Sequence, residues 1–277
     1  MAEWPAPPQG NSKAPVPPLD IDPRGAWSMV KRNRDVYLKT WKTNFIPPLV
    51  EPLLYLLSIG IGVGALINGI DDGQGHRVSY RQFVAPGILA ITMMQVSFGE
   101  TTYNSFIRMW FQKTWEAITA TPMTLDDILV GELLWAAIKA AINAFLMAIV
   151  VALFGLLPWA MVPLVIPVAL LVGMVFAGIG LCWSALVKGI DGFSFAMYLF
   201  MTPMMLFAGT FFPLTQLPAG AEMVARALPL TNAVLVMRPI SLGHPLEVPL
   251  LPIAYLGVGA LVFPMLAIRL MKRKLAA

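Results

Sequence analysis

Hydrophobic residues along this chain gather into long runs, separated by short polar breaks. Six runs, at about 46 to 69, 83 to 107, 129 to 157, 160 to 187, 192 to 212 and 246 to 269, each reach the ~20 residues that an α-helix needs to cross ~30 Å of hydrocarbon at ~1.5 Å per residue. Ahead of them, RGAWSMVKRNRDVYLKTWK (24–42) has a helical period instead. At 100° per residue, Trp27, Val30, Tyr37, Leu38 and Trp41 fall within one arc of about 100°, and Lys31, Arg32, Lys39 and Lys42 on another. A membrane interface and a solvated surface both suit such a helix, and the paired Trp and Tyr favour the interface. Between the fifth and sixth runs, PLTQLPAGAEMVARALPLTNAVLVMRPISLGHPLE (213–245) is too broken by Pro to cross and too long for a simple connection. It predicts two short helices, near 219 to 228 and 231 to 238, at or dipping into the outer leaflet and shielded by protein.

The pattern predicts an all-α integral membrane protein: an N-terminal amphipathic interfacial helix, six transmembrane helices, and two short outer helices between helices five and six. Composition agrees, with 58% hydrophobic and 12% charged residues, where a soluble domain carries roughly 25% charged. Residues 1–23 hold seven Pro among small and polar residues, so a mobile tail is expected there, without the apolar core of a cleavable signal. The transmembrane domain then occupies 43–277. Six crossings put both termini on one side. Lys and Arg concentrate at 31–42 and at 269–274, which makes that side cytoplasmic. The polar loop at 108–128 is then cytoplasmic too. The basic residues serve topology and call for no nucleic acid.

Candidate chemistry is sparse. The single Cys, Cys182, forms no intramolecular disulfide and no metal cluster, and both His, His76 and His244, fall in predicted outer loops. There is no GxxxxGK[ST] phosphate loop, no HExxH and no GxSxG. The chain is therefore expected to be no enzyme, to carry no cofactor or metal of its own, and to draw any ATP from a partner.

Four charges enter the apolar runs: Glu51, Glu100, Glu132 and Lys139, all toward the cytoplasmic half. Two readings of them stand side by side. Glu100 and Lys139 reach similar depth and could pair, because an unpaired charge in hydrocarbon costs at least ~2.5 kcal/mol. Alternatively Glu51, Glu100 and Lys139, with Tyr103 in the polar TTYNS segment, line a vestibule for the headgroup of an amphiphilic substrate. On the outer side FSFAMYLFMTPMMLFAGTFFP (193–213) is dense in aromatics and Met. Met204, Phe207, Phe211 and Phe212 are candidates for a gate or lining; core packing is the plainer role for such a stripe. Pro203 interrupts this helix, and Gly209 permits close approach.

In RMWFQKTWEAITATPMTLDDILVGE (108–132), Arg108 marks the cytoplasmic exit of helix two, and Thr114 is positioned to cap a short helix that Pro122 ends. Thr124 and Asp127 form the T-x-x-D pattern of a capping box, which makes the adjacent Asp126 and Asp127 a helix start and not a metal site.

Four stretches carry a family resemblance: VAPGILA (84–90), RMWFQKTWEAITATPMTLDDILVGELLWA (108–136), LFAGTFFPLTQLP (206–218) and LPLTNAVLVMRPISLG (228–243). Over about 24–274 the chain resembles the membrane subunits of ABC type-2 exporters, within them the lipooligosaccharide permeases of the nodulation-factor export kind. The resemblance implies an inner-membrane homodimer of this chain with two copies of a separate ATPase that binds ATP and Mg. It also implies that the loop after helix two couples to that ATPase, which nominates Lys113, Thr114, Trp115, Glu116, Ile118, Thr119 and Pro122. A lipid-linked or amphiphilic oligosaccharide is the expected cargo, with drugs or polysaccharide as other cargoes of the superfamily. The rival class is an ion-coupled secondary transporter, which usually shows internal repeats and midplane polar groups.

Overall fold

The structure, a computed structural model, describes residues 19–40, 50, 52–58, 62, 64, 67, 69–71, 77–187, 189 and 191–275. Most of the predicted first crossing lies outside these residues, as do Glu51, His76 and residues 1–18; residues 52–57 of that run are helical.

Among the described residues four helices have the length and apolar content to span a membrane: α2 (Tyr80–Phe111), α4 (Leu125–Leu153), α5 (Trp159–Leu186) and α9 (Leu250–Leu275). They match the second, third, fourth and sixth predicted runs. Around them stand α1 (Pro23–Lys39), α3 (Thr114–Thr119), the shorter apolar α6 (Gly192–Phe207), α7 (Ala219–Arg226) and α8 (Pro229–Leu242). α7 and α8 are the two short helices expected in the 213–245 segment. A two-stranded ribbon pairs Ile70 with Val78 and Asp71 with Arg77.

Local sequence sets the boundaries. Ser79 begins α2 with a capping box, its hydroxyl accepting from Gln82 N and the Gln82 side chain accepting from Ser79 N at 3.1 Å. Thr124 begins α4 in the same way: Asp127 N donates to Thr124 Oγ1 at 3.2 Å, and Thr124 N to Asp127 Oδ2 at 2.9 Å. Pro229 opens α8, where its missing N–H costs nothing, and Gly243 closes it at φ 87°.

α5 lies at the centre, packed against α2, α4 and α9. Burial grades outward from there: 83% of the most apolar window of α2 is buried but only 33% of that of α9, whose Leu250, Leu251, Val258 and Leu261 face outward. One apolar cluster built on Phe83, Met93, Met147 and Phe176 fills most of the bundle. A second, built on Met29, Phe106, Leu129, Leu181 and Met271, fills the end where α2 and α9 finish and α4 begins. At the other end Gly87 lets α2 approach the chain after α6 so closely that an added Cβ would lie 3.0 Å from Thr210 Cα.

α1 packs along α4. Gly25 lies against Asp127, Met29 against Gly131, Asn33 against Glu132, and Tyr37 against Trp135 and Asn143. α1 thus runs alongside α4 in the same direction for about four turns. The reason is polar: this stretch of α4 carries Asp126, Asp127, Glu132 and Lys139, which require a covering element. Its buried face (Ala26, Met29, Val30, Asn33, Tyr37) adjoins an exposed apolar one bearing Trp27 and Leu38. α2 and α4, at 32 and 29 residues, exceed the ~20 needed for a crossing by roughly ten. Their polar ends therefore have room to project beyond the hydrocarbon.

Candidate functional site

The end of the bundle where α2 finishes and α4 begins holds a buried ion network. Two π-helical turns, Glu100–Asn104 and Ile107–Phe111, widen the end of α2. Glu100, Asn104 and Arg108, spaced by four, line one face of it. Arg108 joins both carboxylates: Nη1 donates to Glu100 Oε1 at 2.8 Å, Nε to Glu132 Oε1 at 3.0 Å, and Nη2 to Glu132 Oε2. Lys139 Nζ donates to Glu100 Oε2 at 2.7 Å, and Asn104 Nδ2 to the same oxygen at 2.8 Å. Ser105 Oγ and Asn33 Nδ2 complete the shell of Glu132 at 2.8 and 3.4 Å. Glu132 is 0% exposed and Glu100 2%. Two carboxylates thus face two cations in a saturated set, which is the condition under which buried charge is tolerated.

The pairing of Glu100 with Lys139 is thereby realised. Arg108, expected at the exit of helix two, lies near the end of α2 and is also the hub of this network. Tyr103 parts from this set. It is 50% exposed and faces a groove of about 440 Å³ between α2 and α6, shared with Tyr55, Gln95, Ser194, Met201 and Thr202.

Tyr37 of α1 closes the network from outside. Asn143 Nδ2 donates to its hydroxyl at 3.2 Å, the Lys139 ammonium sits 5.2 Å from its ring centre, and Trp135 meets it edge-on at 5.4 Å. Burial pushes its phenol up to about 12, so the hydroxyl keeps its proton.

The loop between α2 and α4 divides into an anchor and a face. Trp115 is 4% exposed and packs in the second apolar cluster. It was nominated for the docking face; at this position in α3 it points inward and fixes the loop. Lys113 and Glu116 are about 70% exposed, 3.7 Å apart. Thr119 and Pro122 are exposed as well, and Ile118 and Thr114 half-buried. Thr114 does not cap α3. Lys113 holds that place in a left-handed conformation (φ 49°), and no side chain caps the helix. Lys113 is the one non-Gly residue with positive φ among the described residues, and such strain costs about 1–3 kcal/mol.

The Asp126–Asp127 pair does more than start α4. Asp20 N and Lys272 Nζ donate to Asp126 Oδ2, both at 2.8 Å; Asp22 N donates to Asp127 Oδ1 at 2.7 Å; and Thr124 Oγ1 donates to Asp20 O at 2.9 Å. These bonds tie residues 20–22, at the end of the Pro-rich segment, and the end of α9 to the loop. Nothing in the sequence spacing signals this, since the partners lie more than 100 residues away.

At the opposite end the proposed gate residues separate. Met204 is buried in the main core, Phe207 is exposed, and Phe211 and Phe212 are half-buried. Two residues beyond α6 the chain turns at Gly209 (φ 75°), whose carbonyl accepts from Arg238 Nη2 at 2.8 Å.

Apolar helices of membrane length, joined at a saturated polar end, define a helical integral membrane protein. The chain belongs to the ABC-2 type transporter family, whose family model matches residues 24–241. It is similar to nodulation protein J of Rhizobium meliloti (strain 1021), 36% identical over 256 residues that cover 91% of this chain and 96% of the relative. Nodulation protein J of Rhizobium leguminosarum bv. trifolii is 36% identical over 236 residues, 85% of this chain and 87% of the relative. The inner membrane transport permease YadH of Escherichia coli (strain K12) is 25% identical over 190 residues, 66% and 69% of the two chains.

Proposed function

We propose that this chain is the membrane-spanning permease of an ATP-driven exporter, working as a homodimer with two copies of a separate ATPase that supplies ATP and Mg. It does no chemistry of its own. It resides in the inner membrane with both termini cytoplasmic, and moves a lipid-linked or amphiphilic oligosaccharide outward. The observation that carries this reading is the loop after α2: buried Trp115 holds it rigidly while Lys113, Glu116, Thr119 and Pro122 stay exposed. A short helix so braced transmits closure of a partner mechanically.

The polar end of α2 and α4 then lies at the inner interface, with α1 turning Trp27 and Leu38 to lipid. The groove between α2 and α6 mixes Gln95, Tyr103, Ser194 and Thr202 with Met side chains, which suits an amphiphile in passage. Glu100 and Lys139 brace the vestibule from behind, and Phe207, Phe211 and Phe212 form its outer lining. Exposed Phe195, Tyr198 and Leu199 on α6 offer an apolar face to the second copy.

The test is purification of the chain from its native membrane. A co-purifying polypeptide with a phosphate loop, and export into inverted vesicles that requires ATP hydrolysis, is the expected result. Transport driven by a pH or sodium gradient, without such a partner, refutes the proposal.

A further inference from the structure

A cavity of about 270 Å³ opens beside the ion network, walled by α1, α2 and α4. Arg32, Tyr37, Asn104, Gln112, Trp135 and Lys139 are among its lining residues. At roughly 30 Å³ per water it has room for a phosphate group with several waters. Its charge is unbalanced. Glu100 and Glu132 are matched by Arg108 and Lys139, and every carboxylate oxygen among them accepts at least one hydrogen bond.

Arg32 adds a third cation. It is half-buried at the cavity wall, and its one hydrogen-bond partner among the described residues is the neighbouring Asn33 Oδ1, at 2.9 Å. No salt bridge among the described residues includes it. Burial lowers its tendency to hold a proton and nearby Arg108 lowers it further, with Glu132 offsetting only part of this, so an arriving anion would relieve the remaining excess of positive charge. The guanidinium fork matches two phosphate oxygens. Tyr37 and Trp135 add an aromatic wall of the kind found at headgroup depth.

We propose that this cavity binds a phosphate monoanion or diester, with Arg32 as its principal contact. The inner-leaflet phospholipid headgroup is the source that the cavity's position at the polar end favours. The cavity shares no lining residue with the groove that holds Tyr103, so it is a lipid site separate from that groove. It needs neither the ATPase nor cargo.

The test uses the full chain in mixed micelles, titrated with phosphatidylglycerol, phosphatidylcholine or inorganic phosphate, with bound lipid counted by native mass spectrometry and stability read by thermal unfolding. Wild type should retain phosphatidylglycerol through delipidation, and Arg32→Gln should weaken that retention by about tenfold. Arg32→Lys should retain an intermediate amount. Unchanged unfolding of Arg32→Gln without lipid would establish that the variant folds. Phosphatidylglycerol bound at least as tightly as phosphatidylcholine, in an Arg32-dependent way, supports a headgroup site. Arg32-dependent protection by inorganic phosphate alone supports the same phosphate chemistry with a soluble source. Equal retention by wild type and Arg32→Gln overturns the proposal, and leaves the export reading intact because no partner or cargo is in the assay.

Discussion

Arg108 and Arg238 are both largely buried, one near each end of the molecule, and their surroundings differ. Arg108 is held between two carboxylates, themselves tied to Lys139, Ser105, Asn104 and Asn33. Arg238 donates to the Gly209 carbonyl and lies 4.1 Å over the Phe83 ring. Its neighbours follow that pattern: Tyr80 donates to Phe211 O at 3.0 Å, Tyr255 to Ala227 O at 2.6 Å, and Asn232 to Leu228 O at 2.9 Å. One end is fastened by mutually dependent charges, the other by backbone carbonyls and close apolar packing. Charges at the first end stand or fall together. At the second, Arg238, Tyr80, Tyr255 and Asn232 each donate to a separate backbone carbonyl, so the damage from losing any one of these bonds should stay local.

The largest effect is expected from Arg108→Met, which leaves Glu100 and Glu132 buried without their shared cation. Thermal unfolding in detergent should show a loss of about 3–5 kcal/mol. Arg238→Met should cost only about 1–3 kcal/mol, the range for losing a charged donor to a backbone carbonyl. Equal losses would erase the contrast.

Next comes Gly87→Ala, where the new methyl meets Thr210. It should cost about 1–3 kcal/mol by overpacking, and Thr210→Ala should recover part of that. Recovery by charge changes at the polar end would show that the two ends are not independent.

A double-mutant cycle sharpens the claim of mutual dependence. Glu100→Gln with Lys139→Met should be less destabilising than the sum of the single changes by about 1–2 kcal/mol. Additivity would mean that the 2.7 Å contact contributes nothing. The smallest effect belongs to Thr124→Ala, at about 1 kcal/mol, from loss of the α4 cap and of the bond to Asp20 O.

Much of this was legible in the sequence because it is local. Run lengths predicted the four long helices, and Pro and Gly spacing marked α7 and α8. Thr124-x-x-Asp127 announced its own capping box, since all its partners lie within three residues. The Glu100–Lys139 pair was legible as well, because hydrocarbon forbids the unpaired alternative. Arg108 as a hub was not, since it depends on π turns that 3.6-residue periodicity cannot express. Nor was the direction of Trp115: a six-residue helix has too few positions to reveal which face packs. The packing of α1 on α4 was hidden for a related reason. Its period showed an apolar arc, but the choice between lipid and α4 as the partner of that arc was made by polar residues a hundred positions on. Lys272 and residues 20–22, gathered on Asp126 and Asp127, belong to the same class of long-range bonds.

If the loop after α2 is a docking surface braced from within, as proposed, the side chains to change are the exposed ones. Trp115 is unsuitable because its loss would disturb the core. With the purified complex in vesicles, Lys113→Ala combined with Glu116→Ala should leave folding within about 0.5 kcal/mol of wild type. ATP hydrolysis should persist while export of a labelled lipid-linked oligosaccharide falls at least tenfold. Export at the wild-type rate by a correctly folded double variant would contradict the central claim.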